Sequence, residues 1–574
     1  MYRKPTDKLN ADPGYLVHFV DLLSGLEGIS VNGKLCFNMS DEYCNTVSAL
    51  MDRNVEQFGD TLAVIYGTEQ LSYGTLNELS LRVARGLVRL GIEPGDRVAF
   101  WLPNTIAYLV IYLACIRLGA IAVAVNTRYR STEVSDIVAR SGARAMVLWP
   151  GFRNIDFLAI LSEIPIDALQ CLETVILYEE GGNAAVPAVL SSKAQVAYQE
   201  LLAFEPYDRD HSGPDVGCNI FTTSGTTRAP KFVLHRQAGI AWHAQAVWQN
   251  LASMVGECSL LQTLPFCGVF GFNQLTAALA GARPSVLQSA FDAGEAVALI
   301  DTHNVRYISA NDDMVMALLA ADPCKSALPK LICCGYGAFN MAPQAVSQQA
   351  EARGLKLVGL YGMSEVQALF ARRDYALPAE ERYLPGGKLI SEQAQVRVRN
   401  PETGKLLGHC ESGELELKGP SLMMEYFNNT DATLEAMTQD GFLRSGDLGY
   451  TTSADSFVFE ARMGDTLRLG GFLVSPAEIE SHLVDHPLIN RVQVVAVRVG
   501  EAMKPYAFII PATDVAVDAE AIALHCSRSL APFKLPIAFH SLDGFPTTNS
   551  PNGTKIQRAK LREMAEAALR VEIL

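Results

Sequence analysis

Thr223-Ser224-Gly225-Thr226-Thr227-Arg228-Ala229-Pro230-Lys231 places four hydroxyls, a glycine and a lysine within nine residues. It follows Asn219-Ile220-Phe221-Thr222, an apolar-to-hydroxyl run that reads as the end of a strand. Backbone N–H groups and hydroxyls of such a loop converge on phosphate oxygens, and the lysine adds positive charge. Pro230 stands where the familiar nucleotide loop has glycine directly before lysine, so this is a phosphate loop of another kind. Taken alone, the string also fits a polar surface loop.

Around this loop the pattern alternates. Glu42–Phe58 and Leu76–Leu90 have helical periodicity, Arg97–Leu102 reads as a strand, Ile106–Leu118 as a helix and Ile121–Val125 as a strand. Glu133–Arg140 and Ala145–Leu148 repeat the alternation, and a second set runs from about 217 to 370. This spacing predicts layered α/β sheets, largely parallel. After about 385, the shorter strands Gln393–Val398, Gly413–Lys418 and Phe457–Glu460 predict a small β-rich subdomain. Residues 465–574 start a compact α+β unit, with a helix over Pro476–Val484, strands over Val492–Val499 and Tyr506–Ile510, and a helix over Val517–Leu530. A chain of 574 residues suits two or more domains, here 1–463 and 465–574 with a hinge near 462–465.

The formal net charge of −15 argues against a nucleic-acid partner but not against a nucleotide, which a local lysine can hold. The apolar run from Tyr108 to Val125 contains Arg117 and Gly119, and reads as a buried helix and strand rather than a membrane span. The 12 cysteines have no metal-ligand spacing and suit reduced thiols, with a cytoplasmic location expected.

Four further strings carry chemistry. Tyr361-Gly362-Met363-Ser364-Glu365 follows a strand-like run, and its glycine turn sets a hydroxyl and a carboxylate beside a polyphosphate, the carboxylate suited to Mg²⁺. Asp447, in a Gly-flanked turn within Leu443–Gly449, suits ribose hydroxyls. Arg462-Met463-Gly464-Asp465 lies where the pattern changes, followed by Gly470 and Gly471. Lys555 lies on a loop within Asn552–Arg558.

In this order, the five strings resemble the AMP-forming acyl-adenylate superfamily, which includes acyl-CoA synthetases, peptide-synthetase adenylation domains and firefly luciferase. The likeness spans roughly residues 45–565 and favours the acyl-CoA synthetase branch. It implies ATP, Mg²⁺ and coenzyme A as cofactors and co-substrates, and a small C-terminal domain that rotates between two half-reactions. It implies a phosphate loop of Thr223, Ser224, Gly225, Thr226, Thr227 and Lys231, and an adenine-contacting turn at Gly337 and Ala338. Tyr361 would stack on adenine beside Gly362, Ser364 would bond the α-phosphate and Glu365 would hold Mg²⁺. Asp447 and Arg462 would grip the ribose, Lys555 would serve the adenylation step, and Gly470 and Gly471 would line the pantetheine tunnel.

Several positions depart from the family's pattern. Arg228 and Phe232 replace glycines around the phosphate loop, Ser364 and Ser445 replace threonines, and Glu425 replaces a glycine before Tyr426. Gly464 occupies the hinge position, and Thr554 is an extra residue before Lys555. Gly268, within Leu264–Phe272, stands where a histidine is frequent, and Tyr336 replaces a small residue near the expected acyl pocket. Asp312 and Asp313 bring charge to a stretch expected to be a loop, which would suit a polar or cationic substituent on the acid.

The resemblance implies a carboxylic acid–CoA ligase that forms AMP, acting on a medium- or long-chain fatty acid or an aryl or alicyclic acid. Transfer to the phosphopantetheine arm of a separate carrier protein is the alternative acceptor, and a degenerate nucleotide-binding regulator is a reading outside enzymes. A homodimer is left open, because dimers are common in such families.

Overall fold

The computed structural model describes residues 44–178, 190–223, 230–322, 328–338, 343–463, 467–469, 472–474, 476–500, 502–512, 518–527, 530–550 and 553–572. Apolar alternation and the helical repeats produce the expected layered α/β arrangement. An eight-stranded sheet runs, in spatial order, through Glu425–Tyr426, Phe232–Arg236, Gly217–Thr222, Ile121–Ala124, Arg97–Trp101, Ala145–Leu148, Thr174–Leu177 and Ala194–Ala197. It is parallel from Gly217–Thr222 outward to Ala194–Ala197, and antiparallel where Phe232–Arg236 folds back.

A second sheet of thirteen strands has two halves. Strands Leu62–Tyr66, Ser285–Leu287, Ser259–Gln262, Val305–Asn311, Cys333–Gly337 and Leu357–Tyr361 are parallel neighbours, with Glu69–Ser72 antiparallel to Leu62–Tyr66 at the edge. From Leu357–Tyr361 onward the pairing turns antiparallel, through Ala371–Arg372, Gly386–Leu389, Ser456–Arg462, Leu443–Ser453, Gly413–Lys418 and Gln395–Arg399. The β-rich segment predicted after 385 therefore has its own small apolar cluster, yet its strands continue the parallel sheet.

Helix Ile106–Leu118 lies within the core that joins both sheets. Its residues are buried on every side apart from half-buried Arg117, which accounts for its nearly uniform apolar composition. Thr105 caps it by accepting the Tyr108 N–H, Gly119 ends it at φ +69°, and Arg117 pairs with Asp52 at 2.5 Å and Asp210 at 2.8 Å. Among the described residues, no helix is long and apolar enough to cross a membrane.

The C-terminal segment builds a three-stranded sheet from Ile489–Val499, Ala502–Pro511 and Phe539–Ser541. Helices Pro476–Val484, Ala519–Ser527 and Arg558–Glu572 accompany it. Its apolar clusters use residues from Leu467 to Leu569 and share no member with those formed by Cys44 to Phe459.

Three local expectations are corrected. Lys555 is not on a loop: it lies in the hairpin strand Gly553–Ile556, opposite Thr548. Asp447 is not in a turn but within strand Leu443–Ser453, where Gly446 at φ +68° interrupts the regular ladder with Gly413–Lys418. Asp312 and Asp313 begin helix Asp312–Ala321 instead of a loop, capped by the Asn311 side chain. Asp312 is fully buried there, whereas Asp313 is exposed.

Candidate active site

The phosphate-loop string bridges two antiparallel strands, Gly217–Thr222 and Phe232–Arg236. Its neck is tied twice: the Thr223 N–H donates to the Lys231 carbonyl at 3.0 Å, and the Lys231 N–H donates to Thr223 Oγ1 at 3.1 Å. Ser224, Gly225, Thr226, Thr227 and the departure at Arg228 lie outside the described residues. Phe232, in place of glycine, is buried, with the Arg140 guanidinium 4.2 Å above its ring. Arg140 also donates to the Pro230 carbonyl at 2.9 Å, so this departure anchors the end of the loop.

The second string follows the carboxyl end of strand Leu357–Tyr361, beside the parallel strand that ends at Gly337 and leads to Ala338. Ligand sites of α/β sheets form at such strand ends. Gly362 is sterically required, because a Cβ there would lie 1.0 Å from the Ala368 carbonyl oxygen. Gln367 and Ala368 follow at φ +62° and +65°, a left-handed pair that non-glycine residues seldom adopt.

Buried groups hold this turn from beneath. His235 Nε2 donates to the Ser364 carbonyl at 2.8 Å, His243 hydrogen-bonds the Gln367 backbone, and Asn273 Nδ2 donates to the Gln367 carbonyl at 3.3 Å. Burial lowers His235 to about 4 and His243 to about 3, so both rings are neutral near pH 7. Beside the turn, the Met423 N–H donates to the Glu365 carbonyl at 2.7 Å, and the Tyr426 hydroxyl donates to Glu365 Oε1 at 2.8 Å. Lys231 Nζ stands 4.3 Å over the Tyr426 ring.

Asp447 faces Arg462 across neighbouring strands, and Arg462 Nη1 donates to Asp447 Oδ1 at 2.7 Å. The other carboxylate oxygen accepts the Tyr361 hydroxyl at 2.6 Å. Tyr361 is buried, its ring edge-on to Phe457 at 4.9 Å. Ser445, replacing threonine, spends its hydroxyl on the backbone, donating to the Leu415 carbonyl at 2.6 Å and accepting the Asp447 N–H at 3.0 Å.

Lys555, brought in by the C-terminal hairpin, is half-buried and within electrostatic reach of Arg462, Glu365 and Asp447. Burial lowers its pKa and Arg462 adds to that, while Glu365 and Asp447 oppose it. Lys231, Glu365, Asp447, Arg462 and Lys555, spread over 325 residues of sequence from 231 to 555, thus form a chain of contacts and charge interactions. Gly470 and Gly471 lie outside the described residues, as does Gly464.

Glu365 is a hard oxygen donor, largely buried and linked through Tyr426 to Lys231, which suits a Mg²⁺ completed by phosphate oxygens and water. Among the described residues no group of three or more His, Cys, Asp or Glu could cage a metal.

In the acyl-pocket string, Gly268 precedes helix Val269–Ala280 with ordinary extended dihedrals, so nothing in its backbone demands glycine. Gly271 does require it: a Cβ would lie 2.5 Å from the Leu264 and Pro265 carbonyl oxygens. Tyr336 is buried, with its hydroxyl unbonded among the described residues.

Tyr426, His235, His243 and Asn273 escaped the sequence reading as site residues. Two signals were available: Tyr426 follows Glu425, a position of the family's pattern, and His235 lies four residues beyond Lys231, on the strand that leaves the loop.

Such a fold, with phosphate-loop, carboxylate and lysine strings gathered from both ends of the chain, defines the class of adenylate-forming enzymes. The chain belongs to the family described as AMP-binding enzyme, whose profile matches residues 51–427, and the AMP-binding enzyme C-terminal domain matches residues 478–551. A Mycobacterium tuberculosis 3-[(3aS,4S,7aS)-7a-methyl-1,5-dioxo-octahydro-1H-inden-4-yl]propanoyl:CoA ligase is 28% identical over 90% of this chain and 99% of its own. Feruloyl-CoA synthase of an Amycolatopsis species is 29% identical over 85% and 93%. The crystal structure of anthranilate CoA ligase AuaEII with anthranoyl-AMP shares the fold at TM-score 0.78 and 22% identity, covering 92% of this chain and 98% of that one. The expected superfamily and fold class therefore hold.

Proposed function

We propose that this enzyme is an AMP-forming carboxylic acid–CoA ligase whose acid carries an aryl or alicyclic ring or a medium to long aliphatic chain. The charge interaction of Lys555, in the hairpin strand Gly553–Ile556, with Glu365, Asp447 and Arg462 is the observation that carries the reading. The ring-bearing acids named for the relatives support the acid class, and their use of CoA favours the free thiol over a carrier-protein arm. We also propose that residues 1–463 and 465–574 act as two domains hinged near 462–465, in a cytoplasmic protein.

Joining two anions is the physical difficulty, and positive charge placed before the reaction offsets it. The neck-tied loop and Lys231 hold the outer phosphates, Asp447 and Arg462 take the ribose, and the turn at Gly337 and Ala338 receives adenine against Tyr361. Ser364 and Lys555 bond the α-phosphate, with Lys555 also orienting the substrate carboxylate. Magnesium, held by Glu365, supplies further charge neutralisation when bound. A carboxylate oxygen forms a bond to the α-phosphorus as the bond to pyrophosphate breaks. The CoA thiol, passing Gly470 and Gly471 after rotation of the smaller domain, then loses its proton and attacks the acyl carbon, and AMP leaves with the C–O bond pair.

A panel of fatty, aryl and alicyclic acids with ATP, Mg²⁺ and CoA tests this. Acyl-CoA and AMP in equal amounts support it. Acyl-AMP that passes only to a carrier protein would replace the acceptor, and the absence of acid-dependent pyrophosphate exchange across the panel would remove the reading.

A further inference from the structure

We propose that Tyr426 is a positioning residue that couples the lysine of the phosphate loop to the carboxylate suited to magnesium. The inference rests on the adenylate-forming reading, since it concerns the same nucleotide site. Two contacts on different parts of one side chain carry it. The phenol oxygen donates to Glu365 Oε1 at 2.8 Å, and the ring lies 4.3 Å beneath Lys231 Nζ.

Tyr426 is itself well fixed. It is 4% exposed, and its short strand pairs with Phe232–Arg236, Tyr426 opposite Val233. Its N–H donates to Thr433 Oγ1 at 3.0 Å, and its carbonyl accepts the Asn429 N–H at 2.9 Å. A neutral donor fixed on one carboxylate oxygen sets the direction of the other without adding a competing positive charge. The ring meanwhile gives the lysine an apolar, electron-rich platform, which steers the ammonium without neutralising it.

A phenol serves both purposes, and neither half of it alone does. Phenylalanine would keep the platform and leave Glu365 without its donor. An aliphatic residue would lose both. The two contacts can therefore be removed separately, and they predict different dependences on magnesium.

The test is equilibrium binding of ATP, followed by calorimetry or by protection against thermal unfolding, with Mg²⁺ and with EDTA. It uses the full chain without acid or CoA. For Tyr426→Phe, affinity with Mg²⁺ is expected to fall about tenfold, the scale of one lost hydrogen bond to a charged group, with affinity in EDTA unchanged. For Tyr426→Leu, affinity is expected to fall under both conditions. In the pyrophosphate-exchange assay, Tyr426→Phe should raise KM for MgATP more than it lowers kcat, with KM for the acid unmoved. Tyr426→Phe that binds MgATP as the parent does, or weakens both conditions equally, overturns the proposal. Glu365→Gln separates a folding defect from lost coupling: on this background Tyr426→Phe should have no further effect on MgATP affinity, and a full additional loss also overturns it. Because binding is read without turnover, failure of the ligase reading would appear in the acid panel and not here.

Discussion

In the proposed reaction, Lys555 serves one of the two steps and not the other. Lys555→Ala is expected to slow adenylation about 10²- to 10³-fold, by analogy with loss of a transition-state donor. Attack of CoA on supplied acyl-AMP should stay near the parent rate, and single-turnover measurement of each half-reaction checks this. Because its pKa is lowered, Lys555 loses its proton at a lower pH than an ordinary lysine as pH rises. Adenylation should fall on the alkaline side, on a profile that the thioester step does not follow.

His235 and His243 give a second prediction at this scale. Their folded pKa values, about 4 and about 3, lie below the ordinary histidine value near 6.5. The unfolded chain therefore binds more protons than the folded one in this window. Their contribution to stability is complete above pH 6.5 and declines as pH falls, by about 1.4 kcal/mol per unit per histidine. For His235 that decline ends near pH 4 and for His243 near pH 3. Denaturant titrations across this range should show a shallower decline for His235→Gln, which keeps a donor toward the Ser364 carbonyl. His235→Leu should be destabilised at pH 7 as well, since that buried carbonyl loses its partner.

Among elements, the 361–368 turn is the most demanding. Its return path runs so close that Gly362→Ala forces a Cβ into the Ala368 carbonyl. Relief would require moving the Ser364–Glu365 backbone. We expect a loss above about 3 kcal/mol in denaturant titration, together with loss of pyrophosphate exchange. Much of this element was legible in the sequence: a strand, a glycine turn, a hydroxyl and a carboxylate. Its supports were not, because His243 lies in the wholly buried stretch 237–247 of its helix and Asn273 on a helix buried at all but one position, and no periodicity separates a supporting polar group from ordinary core. Asp447 and Lys555 were recognised as residues but assigned to turns and loops. Their glycine neighbours suggested breaks, whereas strand pairing absorbed those glycines.

For the whole molecule, the separation of apolar clusters between Phe459 and Leu467 suits a unit that moves against its neighbour. Gly471→Leu should slow thioester formation first, by narrowing the thiol's path, and leave pyrophosphate exchange near the parent value. Rapid-quench separation of the two half-reactions measures this, and the reverse order would overturn the tunnel assignment. The hydroxyl-rich loop, the glycine turn and the alternating strands and helices needed only local chemistry to be read, and with them came the class of enzyme and its expected nucleotide. Which buried groups brace those pieces depended on tertiary structure. Tyr426 meets Glu365 across 61 residues, and His235 meets Ser364 across 129. Such contacts are set by how strands pair and helices pack, and short-range patterns along a chain do not record them.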